Sequence, residues 1–229
     1  MEYNIHEQVK QIFQQSLLAW FEISGRKFPW RDTSDPYAIL IAEMMLRRTT
    51  ATTVARVYPI FMSRFSSLQK LARARVTTIE SIITPLGLQK ERSKHLRDVA
   101  NYLVKENDSK VPTTMDELVH LPGIGLYVAS AVLNFAFDES VSLVDGNVLH
   151  LISRVFGVAF NGPDDPNAWK FMDNFDLNIS SKFFYWSIID LVALICLRRM
   201  PRCKICPLSD ICNWFTTYVN WISSLDPVF

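Results

Sequence analysis

Apolar positions recur at intervals of three and four along most of the chain, the period of helices that bury one face. The first series runs Ile5, Val9, Ile12, Phe13, Leu17 and Trp20, then Gly25 and Pro29-Trp30-Arg31 end it. Asp35-Pro36 opens a second helix, from Tyr37 to about Thr49, with the carboxylate as cap and proline at the first helical position. A third helix covers about 52–65. Ser66 and Ser67 cap a short one that reaches about Ala74, and Thr77 and Thr78 cap another that stops before Pro85-Leu86-Gly87. Residues 89–105 form a basic amphipathic helix, and Thr113/Thr114 followed by Glu117 read as a capping box. A strongly apolar helix follows at about 124–137, with further helices at 145–157 and 180–196. Residues 158–179, with Gly162-Pro163 and Pro166, begin as loop. No stretch sustains the alternation of a strand and no segment repeats, so the class is all-α.

With 49% apolar and 21% charged residues among 229, the chain can bury a real core. A net charge of +1 means that nucleic-acid binding would rest on local basic patches rather than a global field. The opening MEYNIHEQVKQIFQQ has no apolar signal core. The apolar segment Phe183–Cys196 is too short for a membrane span and carries Asp190. These features predict a soluble intracellular protein, of the cytoplasm or nucleoid, without membrane association.

Chemistry concentrates in residues 118–148. The turn Leu121-Pro122-Gly123-Ile124-Gly125 precedes an apolar helix, and Asp145 stands twenty residues after Gly125 in Leu143-Val144-Asp145-Gly146-Asn147. Glycines allow a positive φ and close approach of another backbone. A helix N-terminus with free N–H groups favours an anion, such as a DNA phosphate. The bland alternative is a helix–turn–helix corner with a capping aspartate. The four cysteines, Cys196, Cys203, Cys206 and Cys212, lie within seventeen residues in the spacing C-x6-C-x2-C-x5-C. Four thiolates so spaced can wrap one metal centre, and spacing alone leaves an iron–sulfur cluster and a structural zinc equally open. Arg198, Arg199, Arg202 and Lys204 lie among them, placed to meet phosphates or simply to offset thiolate charge. His6, His120 and His150 have no neighbours at ligand spacing and read as structural.

The LPGIG turn, Val144-Asp145 and the cysteine spacing together resemble the endonuclease III group of helix-hairpin-helix DNA glycosylases. The resemblance extends to Phe28-Pro29-Trp30-Arg31, Asp35-Pro36-Tyr37, Glu43-Met44-Met45-Leu46 and the pair Arg47-Arg48, and so covers nearly the whole chain. It implies two helical domains with the active cleft between them. One is a central helical domain over about 25–137; the other joins residues 1–24 to 138–229 and carries the cluster. It implies that the four cysteines hold a [4Fe–4S] cluster and that Gly123 and Gly125 grip DNA. Asp145 would stabilise the oxocarbenium-like sugar and activate water as the N-glycosidic bond breaks.

The position two after Gly125 then bears on reaction type. Members that also cut the strand keep a nucleophilic lysine there, and this chain has Tyr127, whose phenol forms no imine. A monofunctional enzyme is expected, with Tyr127 lining the pocket and Glu43 bonding to the flipped base or helping to protonate it. The Leu46-Arg47-Arg48 turn and the loop near Leu88-Gln89 are expected to touch DNA, filling the gap left by the flipped base. The basic positions of the 89–105 helix, Lys90, Arg92, Lys94, His95 and Arg97, are further DNA candidates, although a charge run is usually a solvated face. Leu46-Arg47-Arg48-Thr49-Thr50-Ala51 and Gly125-Leu126-Tyr127 look most like the thymine/uracil mismatch glycosylases. Adenine-mismatch enzymes are the runner-up. They typically carry a glutamine pair in place of Arg47-Arg48 and a further C-terminal domain, for which seventeen residues after Cys212 are too few. A non-catalytic DNA-binding protein with a structural metal is the reading from another class. The expected partner is double-stranded DNA holding a mismatch, met by a monomer.

Overall fold

Every regular element among the described residues is helical, in keeping with the periodicity. The structure, a computed structural model, describes residues 5–175 and 180–217. The chain divides into a continuous unit, Lys27–Glu139, and a split unit made of Met1–Arg26 with Ser140–Phe229. None of its described helices is long and apolar enough to cross a membrane.

The continuous unit begins with a 3-10 turn at Pro29–Arg31 and then α2 (Pro36–Leu46). Asp35 caps α2 by accepting from the Tyr37 N–H, with Pro36 at the first position, as the sequence predicts. α3 (Ala51–Arg64), α4 (Leu68–Ala72), α5 (Val76–Ile83) and α6 (Gln89–Glu106) follow. α7 (Met115–Val119) leads into α8 (Leu126–Ala136). Thr114 caps α7 by accepting from the Glu117 N–H, and its hydroxyl donates to the Glu117 carboxylate at 2.7 Å, a variant of the expected box in which the carboxylate meets the hydroxyl rather than the cap's N–H. α2 is buried from Tyr37 through Met45 and packs on α8, buried from Val128 through Phe135. Helices that are apolar nearly all round belong at the centre of a helical layer.

Two expectations need correction, and a third is completed by the structure. α2 ends at Leu46, three residues early, because Arg47 turns extended and Arg92 binds the free carbonyls of that last turn. Thr77 and Thr78 do not cap α5. The helix starts at Val76 after an extended Arg75, which brings Ile79 and Ile83 onto the buried face. The stretch 158–179 starts as loop as expected and then holds α10 (Pro166–Asp173), capped by Asp165 through the same Asp-Pro device as α2. Residues 176–179 of that stretch lie outside the described residues.

The split unit pairs α1 (Glu7–Ser24) with α11 (Ser181–Leu194), and α11 with α9 (Gly146–Phe156). Phe13, fully buried, meets Phe156, Phe175 and Phe184 at ring separations of 5.1–6.0 Å. Aromatic rings in such tilted contacts supply much of a small core's buried area. Asp190, the one charge in that apolar stretch of sequence, is 0% exposed on α11. It accepts from the Arg26 backbone N–H at 2.7 Å and its Nε at 2.8 Å, so the buried charge is paired.

Candidate active site

In the continuous unit the α2–α8 packing brings Glu43 and Tyr127 together. Glu43 lies mid-helix in Ile39–Met45 and is 3% exposed. The Tyr127 hydroxyl, on the first turn of α8, donates to Glu43 Oε2 at 3.3 Å. A carboxylate drawn this far into an apolar layer needs polar partners. The pair presents one acceptor and one phenol side by side.

The turn before α8 is built by two different glycines. Gly123 has φ +73°, and a Cβ there would meet the His95 ring at 3.1 Å. Its carbonyl accepts from Arg47 Nη1 at 2.9 Å, which ties the α2 end to the hairpin. Gly125 caps α8 in extended backbone, and a Cβ there would meet nothing within 4 Å. Both are exposed. The internal geometry therefore requires glycine at Gly123 but not at Gly125.

Arg47, Arg48 and Leu88 line one pocket with Met44, Glu91, Arg92 and His95. Arg48 and Leu88 both hold left-handed backbone, φ +53° and +50°, rare for side-chain-bearing residues. Leu88 is 53% exposed, an apolar side chain held out of the core by a strained loop tip. Leu46 ends α2 and Gln89 opens α6; both are partly exposed and neither lines that pocket. Arg92 is not a surface base: it is 7% exposed and donates to the carbonyls of Met44 at 2.6 Å, Met45 at 3.2 Å and Arg47 at 2.8 Å. Burial, and the nearby Arg47 charge, pull its pKa down. The sequence held the clue, since Arg92 shares the buried stripe of Leu96, Val99 and Leu103 on α6.

In the split unit Asp145 is the N-cap of α9. Its Oδ1 accepts from the N–H groups of Asn147 and Val148, both at 2.8 Å, and its Oδ2 from the Asn147 side chain at 2.8 Å. Burial raises its pKa, while these hydrogen bonds and the Arg198 charge pull the other way. Arg198 donates to the Gly146 carbonyl at 2.8 Å, which brings the cysteine-bearing loop beside the cap. Capping does not exclude a role in chemistry at Asp145, since the hydrogen bonds of the cap favour the charged form against the effect of burial.

Downstream on α9, His150 Nε2 donates to the Cys196 carbonyl at 2.9 Å. Arg154 Nη1 donates to the Leu197 carbonyl at 3.0 Å and lies 3.6 Å from Cys196 Sγ, and its guanidinium stacks 4.5 Å over the Trp214 ring. Sequence spacing alone offered no sign of these contacts, which join α9 to a segment over forty residues away. Cys196, Cys203, Cys206 and Cys212 line one cavity floored by Leu151, Val155 and Leu208, and none is in a disulfide. Burial pushes Cys206 up to about 11 and raises Cys196 and Cys203 too. Thiols placed so need a bound cationic centre to become thiolates. Among the described residues no three ligating side chains close on a single ion. Four thiols on one cavity form a donor set that a metal centre could take.

Thymine-DNA glycosylase of Aeropyrum pernix is 37% identical over 212 residues, covering 90% of this chain and 95% of the relative. Thymine/uracil-DNA glycosylase of Methanothermobacter thermautotrophicus is 29% identical, covering 90% and 94%. An adenine DNA glycosylase of Buchnera aphidicola is 31% identical across 91% of this chain but 59% of its own length. Among solved structures, a thermostable thymine-DNA glycosylase superposes with a TM-score of 0.87 at 29% identity, covering 92% of this chain and 98% of the other. An endonuclease III in a non-covalent DNA complex shares the fold, with a TM-score of 0.81 at 19% identity. Residues 41–168 match the HhH-GPD superfamily of base excision DNA repair proteins, and the chain belongs to that superfamily.

Proposed function

We propose that this chain is a monofunctional DNA glycosylase that hydrolyses the N-glycosidic bond of thymine or uracil mispaired with guanine. The observation that carries the reading is the Tyr127–Glu43 pair, where an amine would be needed for strand cutting. Thymine and uracil present an N–H donor flanked by carbonyl acceptors, and a carboxylate beside a phenol offers the matching acceptor and donor. Relatives named as thymine or thymine/uracil glycosylases, aligned along nearly their whole length, support the same substrate class.

The residues divide the work. Gly123, Gly125 and the α8 N-terminus receive a phosphate, since unpaired N–H groups at a helix start favour an anion. Leu88 fills the space vacated by the flipped nucleotide, and Arg48, with Leu46, Arg47 and Gln89 around it, meets DNA beside the orphaned guanine. Asp145 in its ionised form opposes the positive charge that builds on the sugar and holds the attacking water. Glu43 and Tyr127 bind the departing base. Cys196, Cys203, Cys206 and Cys212 would hold a [4Fe–4S] cluster, which supplies a cross-link for the loop carrying Arg198. The DNA partner is a mismatched duplex, and the enzyme acts as a monomer.

Duplexes holding T·G, U·G, A·8-oxoguanine or A·G, incubated with the protein and then treated with alkali, test the substrate. Release of thymine and uracil opposite guanine is expected, with no breaks before alkali. Fastest release of adenine opposite 8-oxoguanine would assign the chain to the adenine-mismatch class instead.

A further inference from the structure

Charge is unevenly distributed along the chain. Residues 44–79 hold seven Lys and Arg and no Asp or Glu, while the whole chain has a net charge of only +1. Arg47 and Arg48 account for the DNA-facing end of that run. Arg64, Lys70, Arg73 and Arg75 lie at the other end, all exposed, and line one open basin with Phe65 and Thr78. None of these four is in an ion pair among the described residues. Leaving four cations together without a carboxylate incurs mutual repulsion, which an anionic partner relieves.

Position excludes the basin from the candidate DNA site. α3 begins beside the Arg47-Arg48 turn and ends at Arg64, so its 14 residues separate the two by about 20 Å. α5 starts at the basin with Val76, and its far end leads to the Gly87-Leu88 loop tip. The Arg47-Arg48 turn and the Leu88 tip therefore lie at the opposite ends of α3 and α5 from the basin. The basin also offers no apolar anchor: Phe65, its aromatic, is buried, with its carbonyl held by the Tyr37 hydroxyl. Protein partners usually dock through such anchors. Three guanidiniums and a Thr hydroxyl instead suit a phosphodiester backbone, which is met through charge and forked donors.

We propose that the basin is a second DNA-binding surface, which holds the backbone of a separate duplex segment while the first face scans for a lesion. The inference rests on the proposed function only in taking DNA as the ligand. It gives the protein a means of passing between segments without full release.

The test uses undamaged DNA, so it does not depend on catalysis. The full-length protein is bound to an immobilised undamaged 20-base-pair duplex, washed, and offered a second labelled duplex at low salt. The parent is expected to capture the second duplex. Arg64→Glu/Arg73→Glu and, separately, Arg73→Glu/Arg75→Glu should capture at least tenfold less, with unchanged helical content and first-duplex affinity within threefold. The salt dependence of capture should also flatten, by about one unit of slope per lost phosphate contact. Base release from short duplexes by both variants should match the parent. No capture by the parent, or equal capture by both variants, would overturn the proposal. Loss of poly-glutamate binding in the variants, with no second duplex held by the parent, would overturn it in favour of an acidic protein segment.

Discussion

Glu43 in the continuous unit and Asp145 in the split unit are both carboxylates set in apolar frames, yet they are kept by different means. Glu43 stands mid-helix, with every residue from Tyr37 to Met45 buried, and meets a phenol. Asp145 stands at a helix start and takes two backbone N–H bonds and one amide bond. The first arrangement sets an acceptor and a phenol side by side in an apolar layer. The second supports a negative charge at a fixed point. Burial still raises the Asp145 pKa, so its folded form binds a proton more readily than its unfolded form. Stability linked to Asp145 is therefore highest in acid and declines as pH rises from about 4 through the raised folded pKa. Base release, which needs the anion, should follow the opposite course and fall as pH drops through that same pKa.

Variants that break each region separately sharpen this contrast. The largest effect is expected for Cys203→Ser in the split unit: loss of bound iron and of the brown absorption near about 400 nm, with melting of the cluster segment before the continuous unit. Full iron content by metal analysis would count against the cluster assignment. In the continuous unit Arg92→Ala frees four buried or half-buried carbonyls, those of Gly87, Met44, Met45 and Arg47, and should cost roughly 3 kcal/mol in denaturant unfolding. Arg92→Lys should rescue little of it, since an ammonium cannot reproduce the fork.

Arg92 also marks where sequence reasoning was limited. The class, the Asp35-Pro36 cap, the capping box and the hairpin follow from local rules, and local rules are legible in a chain. Arg92 read as part of a charge run because its partners, Met44 to Arg47, lie over forty residues away. The Glu43–Tyr127 bond spans 84 positions, and only the family resemblance placed the two in one site. α10 is hard to read from the sequence although Asp165-Pro166 repeats the α2 signal, because it is short and follows the Gly162-Pro163 loop directly. Thr77 and Thr78 looked like caps but lie inside α5, where the burial of Ile79 and Ile83 set the helix phase.

A medium effect is expected at Tyr127. Tyr127→Lys should introduce weak strand cleavage and borohydride-trappable crosslinks to DNA. The adjacent Glu43 carboxylate favours the ammonium form, so trapping should increase as pH rises. Pre-existing trapping by the parent would rule out the monofunctional reading. The smallest effects separate the two glycines. Gly123→Ala should lose about 1–3 kcal/mol, since alanine at φ +73° is strained and its Cβ meets His95. Gly125→Ala should unfold like the parent yet bind DNA several-fold more weakly, as its Cβ obstructs only an approaching backbone. Unchanged affinity in Gly125→Ala would remove this turn from the DNA interface.

The most direct test of the account is single-turnover thymine release from a T·G duplex by Asp145→Asn at neutral pH. Asparagine also caps helices, and a neutral amide avoids the cost of burying charge. The account predicts a melting temperature no lower than the parent's, duplex affinity within threefold, and thymine release slower by at least a hundredfold. Release within tenfold of the parent, in a folded and DNA-binding variant, would contradict the assignment of Asp145 as the carboxylate that carries the reaction.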